Sequence, residues 1–332
     1  MKLARLFVVP AIASMLLAGG AITAAAHPLA TSNYQLVTEP ADAYQQIYTF
    51  IKSATKTLDM TMYELTDTTA ESDLAADVTK GVTVRVILDT NLEKSNNTAA
   101  FNFLKAHGVS VVWANTTYAA THQKTITVDD NASAVMSGNL TSQFYGTSRD
   151  FAVIDTNQID VNAIEKVFNA DFAHTAITPT DGDNLVWSPT DSQTQLLGVI
   201  NGATKTLQVE NEEMGYATIV TALENAAKRG VSVHVIMTNT GNEYATEFNA
   251  LVAAGVKVST YAATASLYIH AKVILADFGV TGAKVFVGSE NFSSASLNKN
   301  RELGLILTDS AVLSSLNGTL TSDFNGATVW KS

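Results

Sequence analysis

Two stretches of this chain carry the same chemically active residues in the same order. In each, a lysine follows a histidine by two positions, an aspartate follows the lysine by five, and a short polar cluster comes next. The two sets are His122, Lys124, Asp129, Ser137 and Asn139, and His270, Lys272, Asp277, Ser289 and Asn291. One set alone would mean little, whereas two sets in matching places predict a shared function.

These residue types suit the chemistry of a tetrahedral phosphate. Side chains two positions apart on a strand share a face, so we expect His122 and Lys124 to point the same way, as do His270 and Lys272. A lysine neutralises charge, serine and asparagine satisfy oxygen atoms, and an imidazole does covalent or proton chemistry. The alternative is that each set is a polar strand end on a solvated surface without a function. That interpretation explains one copy easily and two copies poorly.

The aspartate of each set needs a different role. Asp277 lies roughly 23 Å from His270 along an extended strand that rises ~3.3 Å per residue, and on the opposite face. It cannot orient that imidazole unless the strand breaks at once. We therefore expect Asp129 and Asp277 to be structural.

Other acids are better candidates for orienting the histidines. Asp150 and Glu302 follow Arg149 and Arg301 at matching places in the two halves. Orientation of a histidine and a local ion pair with the neighbouring arginine are equally good interpretations. Three further acids close a predicted strand, and we favour a solvated loop over a place in a cleft for them: Glu210, Glu212 and Glu213.

The sequence around the two sets is also duplicated. Residues 54–58, Ala-Thr-Lys-Thr-Leu, return unchanged as residues 203–207, an offset of 149 positions. A repeat of this length is domain-sized, since solenoid repeats are far shorter. It predicts an N-terminal lobe at 27–178 and a C-terminal lobe at 184–332, joined by a polar linker that includes Pro179 and Gly182.

Hydrophobic periodicity predicts an α/β fold. In the first half, strands are predicted at 57–63, 82–88 and 109–113, and helices at 43–53, 69–79 and 97–107. Two more strands (134–137 and 151–155) and a helix (162–173) follow a strand that carries His122, and the second half repeats the order. Helices between β-rich runs indicate crossovers. We expect two similar lobes, each a mixed β-sheet flanked by helices, related by a pseudo-two-fold axis.

The paired HxKx4D stretches, the Gly-Ser-x-Asn sequel and the tandem lobes resemble the phospholipase D superfamily over nearly the whole chain after the first 26 residues. The resemblance implies a phosphohistidine intermediate, no metal, and water or another alcohol as acceptor. It counts Asp129 and Asp277 in the motif, and it implies that His122 is the nucleophile and His270 the acid. One departure is Met136, which stands where the family pattern has glycine.

Composition and the N-terminus bear on location and partners. Residues 1–26 have the pattern of a cleavable signal peptide, with Lys2 and Arg5, an apolar run and Ala24–Ala26 before His27. Without those two basic residues, 18 basic residues stand against 31 acidic ones, a net charge of −13. Nucleic-acid binders normally show a basic face. The chain has no cysteine, which excludes lipid attachment through that residue.

The expected function is that of a secreted or periplasmic phosphodiesterase of phospholipase D type. It would hydrolyse phospholipid headgroup phosphodiesters, with transfer to other alcohols left open, as a monomer that touches the membrane peripherally and uses no cofactor. The alternative is a nuclease of the same superfamily, which the net negative charge of the chain disfavours. A non-catalytic phosphate- or lipid-binding protein, supported by Met136, ranks last because both His-Lys pairs are intact.

Overall fold

The computed structural model describes residues 32–331 of the 332-residue chain. The predicted signal peptide at 1–26 and the predicted mature start at His27 lie outside the described residues. Within residues 32–331, no helix is long and apolar enough to cross a membrane.

The first lobe alternates strands and helices. Its elements are β1 (Tyr34–Glu39), α1 (Gln45–Lys52), β2 (Thr57–Met62), α2 (Thr68–Thr79), β3 (Thr83–Leu88), α3 (Lys94–Ala106), β4 (Ser110–Trp113), β5 (Thr125–Val128), β6 (Ala132–Met136), a 3-10 turn (Ser142–Phe144), β7 (Ser148–Asp155) and α4 (Gln158–Phe172).

The second lobe repeats this order with two additions, the short strands β12 and β16. Its elements are β8 (Leu185–Ser188), α5 (Ser192–Gly202), β9 (Thr206–Glu210), α6 (Ala217–Lys228), β10 (Ser232–Asn239), α7 (Ala245–Ala253), β11 (Lys257–Ala262), β12 (Tyr268–Ile269), β13 (Val273–Ala276), β14 (Lys284–Gly288), α8 (Ser294–Asn298), β15 (Glu302–Leu307), α9 (Ser310–Gly326) and β16 (Thr328–Val329).

Each lobe contains one mixed sheet, with strand orders β1-β7-β6-β5-β2-β3-β4 and β16-β11-β10-β9-β13-β14-β15-β8. In the first sheet β2, β3 and β4 are parallel, as are β9, β10 and β11 in the second. The strands that follow in each lobe add in antiparallel order. This arrangement confirms the predicted α/β class with two similar lobes, each a mixed sheet flanked by helices.

Local sequence explains where the crossover helices begin and end. The carboxylate of Asp67 caps α2 by accepting a hydrogen bond of 2.9 Å from the main-chain N–H of Thr69. Just after α2 and α6, Gly81 and Gly230 take φ values of +94° and +92°, which glycine adopts without strain. Each glycine therefore ends its helix just before a parallel strand, β3 in the first lobe and β10 in the second.

Apolar side chains form one core in each lobe and a third between the sheets. The third cluster joins the two sheets and the long helices α4 and α9. Its members include Val135, Phe151, Val153, Ile164, Val167, Val273, Leu275, Val287, Leu305, Leu316 and Leu320. Because this cluster takes residues from both lobes, burial of apolar surface holds the two sheets together.

Strand β12 extends the first sheet although it belongs to the second lobe. Tyr268 and Ile269 pair in parallel with Ser148 and Arg149 of β7. An isolated parallel bridge between Thr121 and Arg301 is the matching contact on the other side. The segments that lead into the two histidines are therefore each tied to the opposite lobe.

Candidate active site

The two motif histidines line one cavity of about 1070 Å³. Strands β5 and β13 begin at Thr125 and Val273, so each histidine lies in the irregular segment just before its strand. The prediction that these histidines lie on strands is therefore wrong. The reason is a long-range contact: the main-chain N–H of His122 donates to the carbonyl of Arg301 at 2.9 Å, and that of His270 donates to Arg149 at 3.2 Å.

Each imidazole is hydrogen-bonded to a carboxylate of the opposite lobe. Nδ1 of His122 lies 2.8 Å from Oε2 of Glu302, and Nδ1 of His270 lies 2.8 Å from Oδ1 of Asp150. A carboxylate at Nδ1 fixes the ring orientation and leaves Nε2 as the reactive atom. The structure thus joins each motif to an acid that the other half supplies.

The neighbouring arginines have different partners. The ion pair of Arg149 is with Asp323 of α9, at 2.6 Å, and that of Arg301 is with Asp171 of α4, at 2.9 Å. Neither arginine pairs with the acid that follows it in the sequence. Of the two interpretations that the sequence left open for Asp150 and Glu302, the geometry fits the orientation of a histidine.

The two serines do not face the cavity. Ser137 and Ser289 are fully buried. The hydroxyl of Ser137 donates to Oδ1 of Asp150 at 2.6 Å, and that of Ser289 accepts the main-chain N–H of Leu303 at 3.2 Å. The expectation that these hydroxyls satisfy phosphate oxygens does not fit this placement, since their hydrogen bonds go to the acid-bearing strands β7 and β15.

The two asparagines do line the cavity. Asn139 and Asn291 are both lining residues, and Oδ1 of each is buried without a hydrogen-bond partner among the described residues, which leaves the amide nitrogens as possible donors to a ligand. The amide nitrogen of Asn291 donates to Glu213 at 3.0 Å. These side chains therefore remain placed to meet a ligand.

The two lysines lie beneath the cavity. Lys124 and Lys272 are 1% and 0% exposed, and each ammonium donates to the main-chain carbonyl of its own motif histidine. Burial and the neighbouring Lys272 lower the pKa of Lys124 to about 7. When protonated, the two ammonium groups supply positive charge next to the motif histidines.

Asp129 and Asp277 lie at the far ends of β5 and β13 and bond the turn that precedes the neighbouring strand. Asp277 accepts the main-chain N–H groups of Thr204, Lys205 and Thr206 at 2.6–3.1 Å, and Asp129 does the same for residues 55–57 at 2.7–3.1 Å. These turns are the duplicated Ala-Thr-Lys-Thr stretches. Both aspartates are therefore structural, and neither belongs with the catalytic residues.

Met136 is a core residue. Its side chain is buried in the apolar cluster of the first lobe. At the matching place in the second lobe, a Cβ on Gly288 would lie 2.5 Å from Oε2 of the buried Glu290. In the first lobe the residue matching Glu290 is Gly138. The larger side chain is therefore at the first of these two positions in the first lobe (Met136) and at the second in the second lobe (Glu290). Met136 itself does not line the cavity.

Burial and ion pairing set the proton affinities of the site. Burial is the main cause that lowers the pKa of His122, with Lys124 acting in the same direction against Glu302. Burial alone would raise the pKa values of Asp150 and Glu302, but the histidine that each contacts brings them below their ordinary range. Both acids are thus carboxylates that accept from Nδ1.

Four cavity residues were missed or misjudged from the sequence: Tyr63, Glu64, Glu212 and Glu213. Tyr63 and Glu64 follow β2, and Glu212 and Glu213 occupy the same repeat positions after β9. The expectation of a solvated acidic loop is wrong for Glu212 and Glu213, and Glu210 is fully buried. The repeat offset of 149 residues could have identified these residues, because it places Tyr63 and Glu64 at the same repeat positions as Glu212 and Glu213.

The cavity wall is acidic and aromatic. Among the described residues, no lysine or arginine lines it. Its acids are Glu64, Asp150, Glu212, Glu213 and Glu243, and its aromatic residues are Tyr44, Tyr63, Phe144, Tyr145, Tyr244 and Tyr268.

A separate group of carboxylates has the spacing of metal ligands, with oxygen atoms of Asp59, Asp130 and Glu165 within 4.8 Å of one another. Arg85 already bonds Asp59 at this place. None of these residues lines the cavity.

Comparison with known proteins places this sequence in a family. The family model described as "Cardiolipin synthase, PLD-like domain" matches twice, at residues 47–172 and 196–325. No curated protein matches the sequence significantly.

Among solved structures, phosphatidylserine synthase of Haemophilus influenzae Rd KW20 is 14% identical with a TM-score of 0.70, covering 91% of this chain and 88% of its own. Polyphosphate kinase of Porphyromonas gingivalis is 13% identical with a TM-score of 0.67, covering 87% of this chain. This chain spans 50% of the kinase. Nuc of Salmonella typhimurium is 25% identical with a TM-score of 0.40, over 45% of this chain and 97% of its own. With its two matches to the family model, the chain belongs to the PLD-like domain family of cardiolipin synthase type, within the phospholipase D superfamily of phosphodiester-processing enzymes.

Proposed function

We propose that this protein is a phosphodiesterase of phospholipase D type that hydrolyses phospholipid headgroup phosphodiesters through a phosphohistidine intermediate. One observation carries the proposal: two imidazoles line the same cavity, each with Nδ1 held by a carboxylate of the opposite lobe. Such a pair supplies one nucleophile and one proton donor for a single phosphate.

In the proposed reaction, Nε2 of His122 attacks phosphorus while the bond to the leaving alcohol breaks. His270 gives its proton to the leaving oxygen. The now neutral His270 takes a proton from water, whose oxygen attacks phosphorus as the bond to His122 breaks. His122 leaves neutral and His270 is protonated again, so the cycle closes. Lys124 and Lys272, when protonated, offset the phosphate charge, and the amide nitrogens of Asn139 and Asn291 donate to its oxygens.

The cavity wall favours a lipid headgroup over nucleic acid. A polyanion that extends beyond its reacting phosphate would meet the five acids of the wall without a basic residue among the described lining residues. Protein sites for nucleic acid place lysine and arginine along the phosphate backbone instead. A zwitterionic headgroup brings one phosphate and one cation, and aromatic rings and carboxylates accommodate the cation.

Peripheral contact with a membrane is part of the proposal. Phe144 lines the cavity and is 49% exposed, which places an apolar side chain at the entrance. Export through the signal peptide at 1–26 and action as a monomer are proposed with it. N-terminal sequencing of exported protein should find a start at or near His27.

Substrate tests with the purified protein decide the function. Mixed phospholipid vesicles and DNA are each incubated with the enzyme, with and without EDTA. We expect headgroup release that persists in excess chelator, because two imidazoles and two lysines handle the phosphate charge, and no cleavage of DNA. Cleavage of DNA alone would establish the nuclease instead. Complete loss of activity in EDTA that metal restores would contradict the mechanism.

A further inference from the structure

The two halves of the site differ at a repeat-equivalent position beside the two histidines. Tyr63 follows β2 and Glu212 follows β9 at the same 149-residue offset that relates Ala54 to Ala203. Two other contacts of the histidines are matched between the lobes: each has a carboxylate at Nδ1 and a lysine that donates to its main-chain carbonyl. This difference distinguishes the surroundings of the two imidazoles.

On the first-lobe side the neighbour is an aromatic ring. The ring of Tyr63 meets that of His122 edge-on at 4.6 Å between centroids, and the ammonium of Lys124 lies 4.8 Å from the Tyr63 ring centroid. Among the described residues, no acceptor is hydrogen-bonded to Nε2 of His122. No carboxylate at this nitrogen favours a proton on it, so its lone pair is available.

On the second-lobe side the neighbour is a carboxylate. Oε2 of Glu212 lies 3.4 Å from Nε2 of His270 and 3.1 Å from Nζ of Lys272. With Asp150 at Nδ1, the ring of His270 has a carboxylate oxygen facing each nitrogen. A neutral imidazole has one N–H, and only the imidazolium form donates from both nitrogens. The arrangement therefore suits a protonated His270.

We propose that Glu212 is a positioning residue that keeps His270 in the doubly protonated form and so assigns the general-acid role to the second lobe. The proposal rests on the proposed function and names the residue that makes two equivalent motifs unequal. Glu212 gives up no proton itself. Its charge favours the proton on Nε2 of His270 until the leaving oxygen takes that proton.

The other charged groups around His270 act in both directions. Asp150 from β7 and Glu64 after β2 are acids near this ring, and Lys272 on its own segment is a base. Burial alone would raise the pKa of Glu212, but His270 and Lys272 lower it well below its ordinary value, so this residue is a carboxylate. If Glu212 lost its charge, one carboxylate fewer would balance the positive charge of Lys272 beside His270.

The test is the pH profile of kcat/KM for Glu212→Gln, which keeps the size and an acceptor oxygen but loses the charge. We expect the basic limb, where the acid deprotonates, to move to lower pH by roughly one to two units. The acidic limb, set by His122, should move in the same direction but less, because Glu212 interacts more weakly with His122 than with His270. The matched control is Glu213→Gln, since Glu213 is adjacent, lines the same cavity and bonds Asn291. A basic limb that stays put in Glu212→Gln, or moves equally in Glu213→Gln, would overturn the proposal.

A measurement without turnover separates this proposal from the proposed function. In NMR of isotope-labelled histidine, assigned by comparison with His122→Ala and His270→Ala, wild-type His270 should be imidazolium near neutral pH while His122 is neutral. The His270 signal should become that of a neutral ring in Glu212→Gln. A neutral His270 in the wild type would refute the role of Glu212 even if phospholipid is cleaved. A protonated His270 in a protein that cleaves no phosphodiester would support the proton placement and refute the function.

Discussion

At the scale of single residues, His122 and His270 share a motif but differ in the groups that surround each ring. Burial lowers the pKa of His122, which leaves a neutral imidazole available for attack on phosphorus. His270 faces carboxylates at both ring nitrogens. The two roles that the superfamily resemblance assigns thus have a physical basis in the neighbours of each ring.

The roles predict different kinetics for the two alanine variants. With a substrate whose leaving group needs no protonation, His270→Ala should keep a burst of leaving-group release, because His122 still forms the adduct. Steady turnover should fall by roughly a hundred- to ten-thousand-fold for want of a base that activates water. His122→Ala should show no burst. Rapid-quench kinetics measures both.

Acid quenching with labelled substrate locates the adduct directly. Phosphate on His270 in the wild type would reverse the two roles. The absence of an adduct on either ring would remove the two-step mechanism.

Some of these residue roles were within reach of the sequence and others were not. Both His-Lys pairs and the structural role of Asp277 follow from spacing alone. The bond between His122 and Glu302 joins positions 180 apart, and local sequence says nothing about such a contact. The sequence predicts a solvated Glu212, because acidic clusters are usually exposed, and only the fold brings this residue to the buried Lys272.

At the scale of elements, the last motif aspartate and the Ala-Thr-Lys-Thr turn form one unit in each lobe. Asp277 takes φ of +57° and accepts three main-chain N–H groups from the turn before β9. The unit sets the register between β13 and β9, which carry His270 and Glu212 at their other ends. The sequence shows that the aspartate and the Ala-Thr-Lys-Thr turn are each repeated, but it does not show that the two are in contact.

The unit predicts that Asp277 matters for stability rather than for chemistry. Asp277→Ala leaves three N–H groups without an acceptor and puts alanine in the left-handed region, which should cost roughly 2–3 kcal/mol of unfolding free energy. Asp277→Asn keeps an acceptor oxygen and tolerates that conformation, so it should cost about 1 kcal/mol. Denaturant unfolding measures both, and kcat of the folded Asn variant should stay near wild type. A large loss of kcat with unchanged stability would return Asp277 to the catalytic residues.

The strands around the site were predicted well where alternation is local. Strand β2 ends within one residue of its predicted bounds, 57–63, since its side chains alternate between two sheet faces. The segments 122–124 and 270–272 were assigned to strands because their composition continues into β5 and β13. Their backbone bonds instead reach Arg301 and Arg149, and such a partner can be identified only after the lobes meet.

At the scale of the whole molecule, neither lobe holds a complete site. The first lobe supplies His122 and the acid for His270, and the second supplies His270 and the acid for His122. Arg149 anchors β7 to α9, and Arg301 anchors β15 to α4, so each acid-bearing strand is fixed to a helix of the other lobe. The apolar cluster between the sheets holds this exchange in place.

This exchange predicts that one chain forms one site and that two chains do not share it. His122→Ala and His270→Ala each keep one intact motif, so a site built between chains would recover part of its activity when the two variants are unfolded together and refolded as a mixture. We expect no recovery with a poor leaving group, because each refolded chain pairs its own two motifs and lacks one imidazole. Wild-type protein refolded in the same way is the control for the yield. Activity in the mixture above the sum of the two variants would show that the motifs pair between chains, and size-exclusion chromatography of that mixture would then show a dimer.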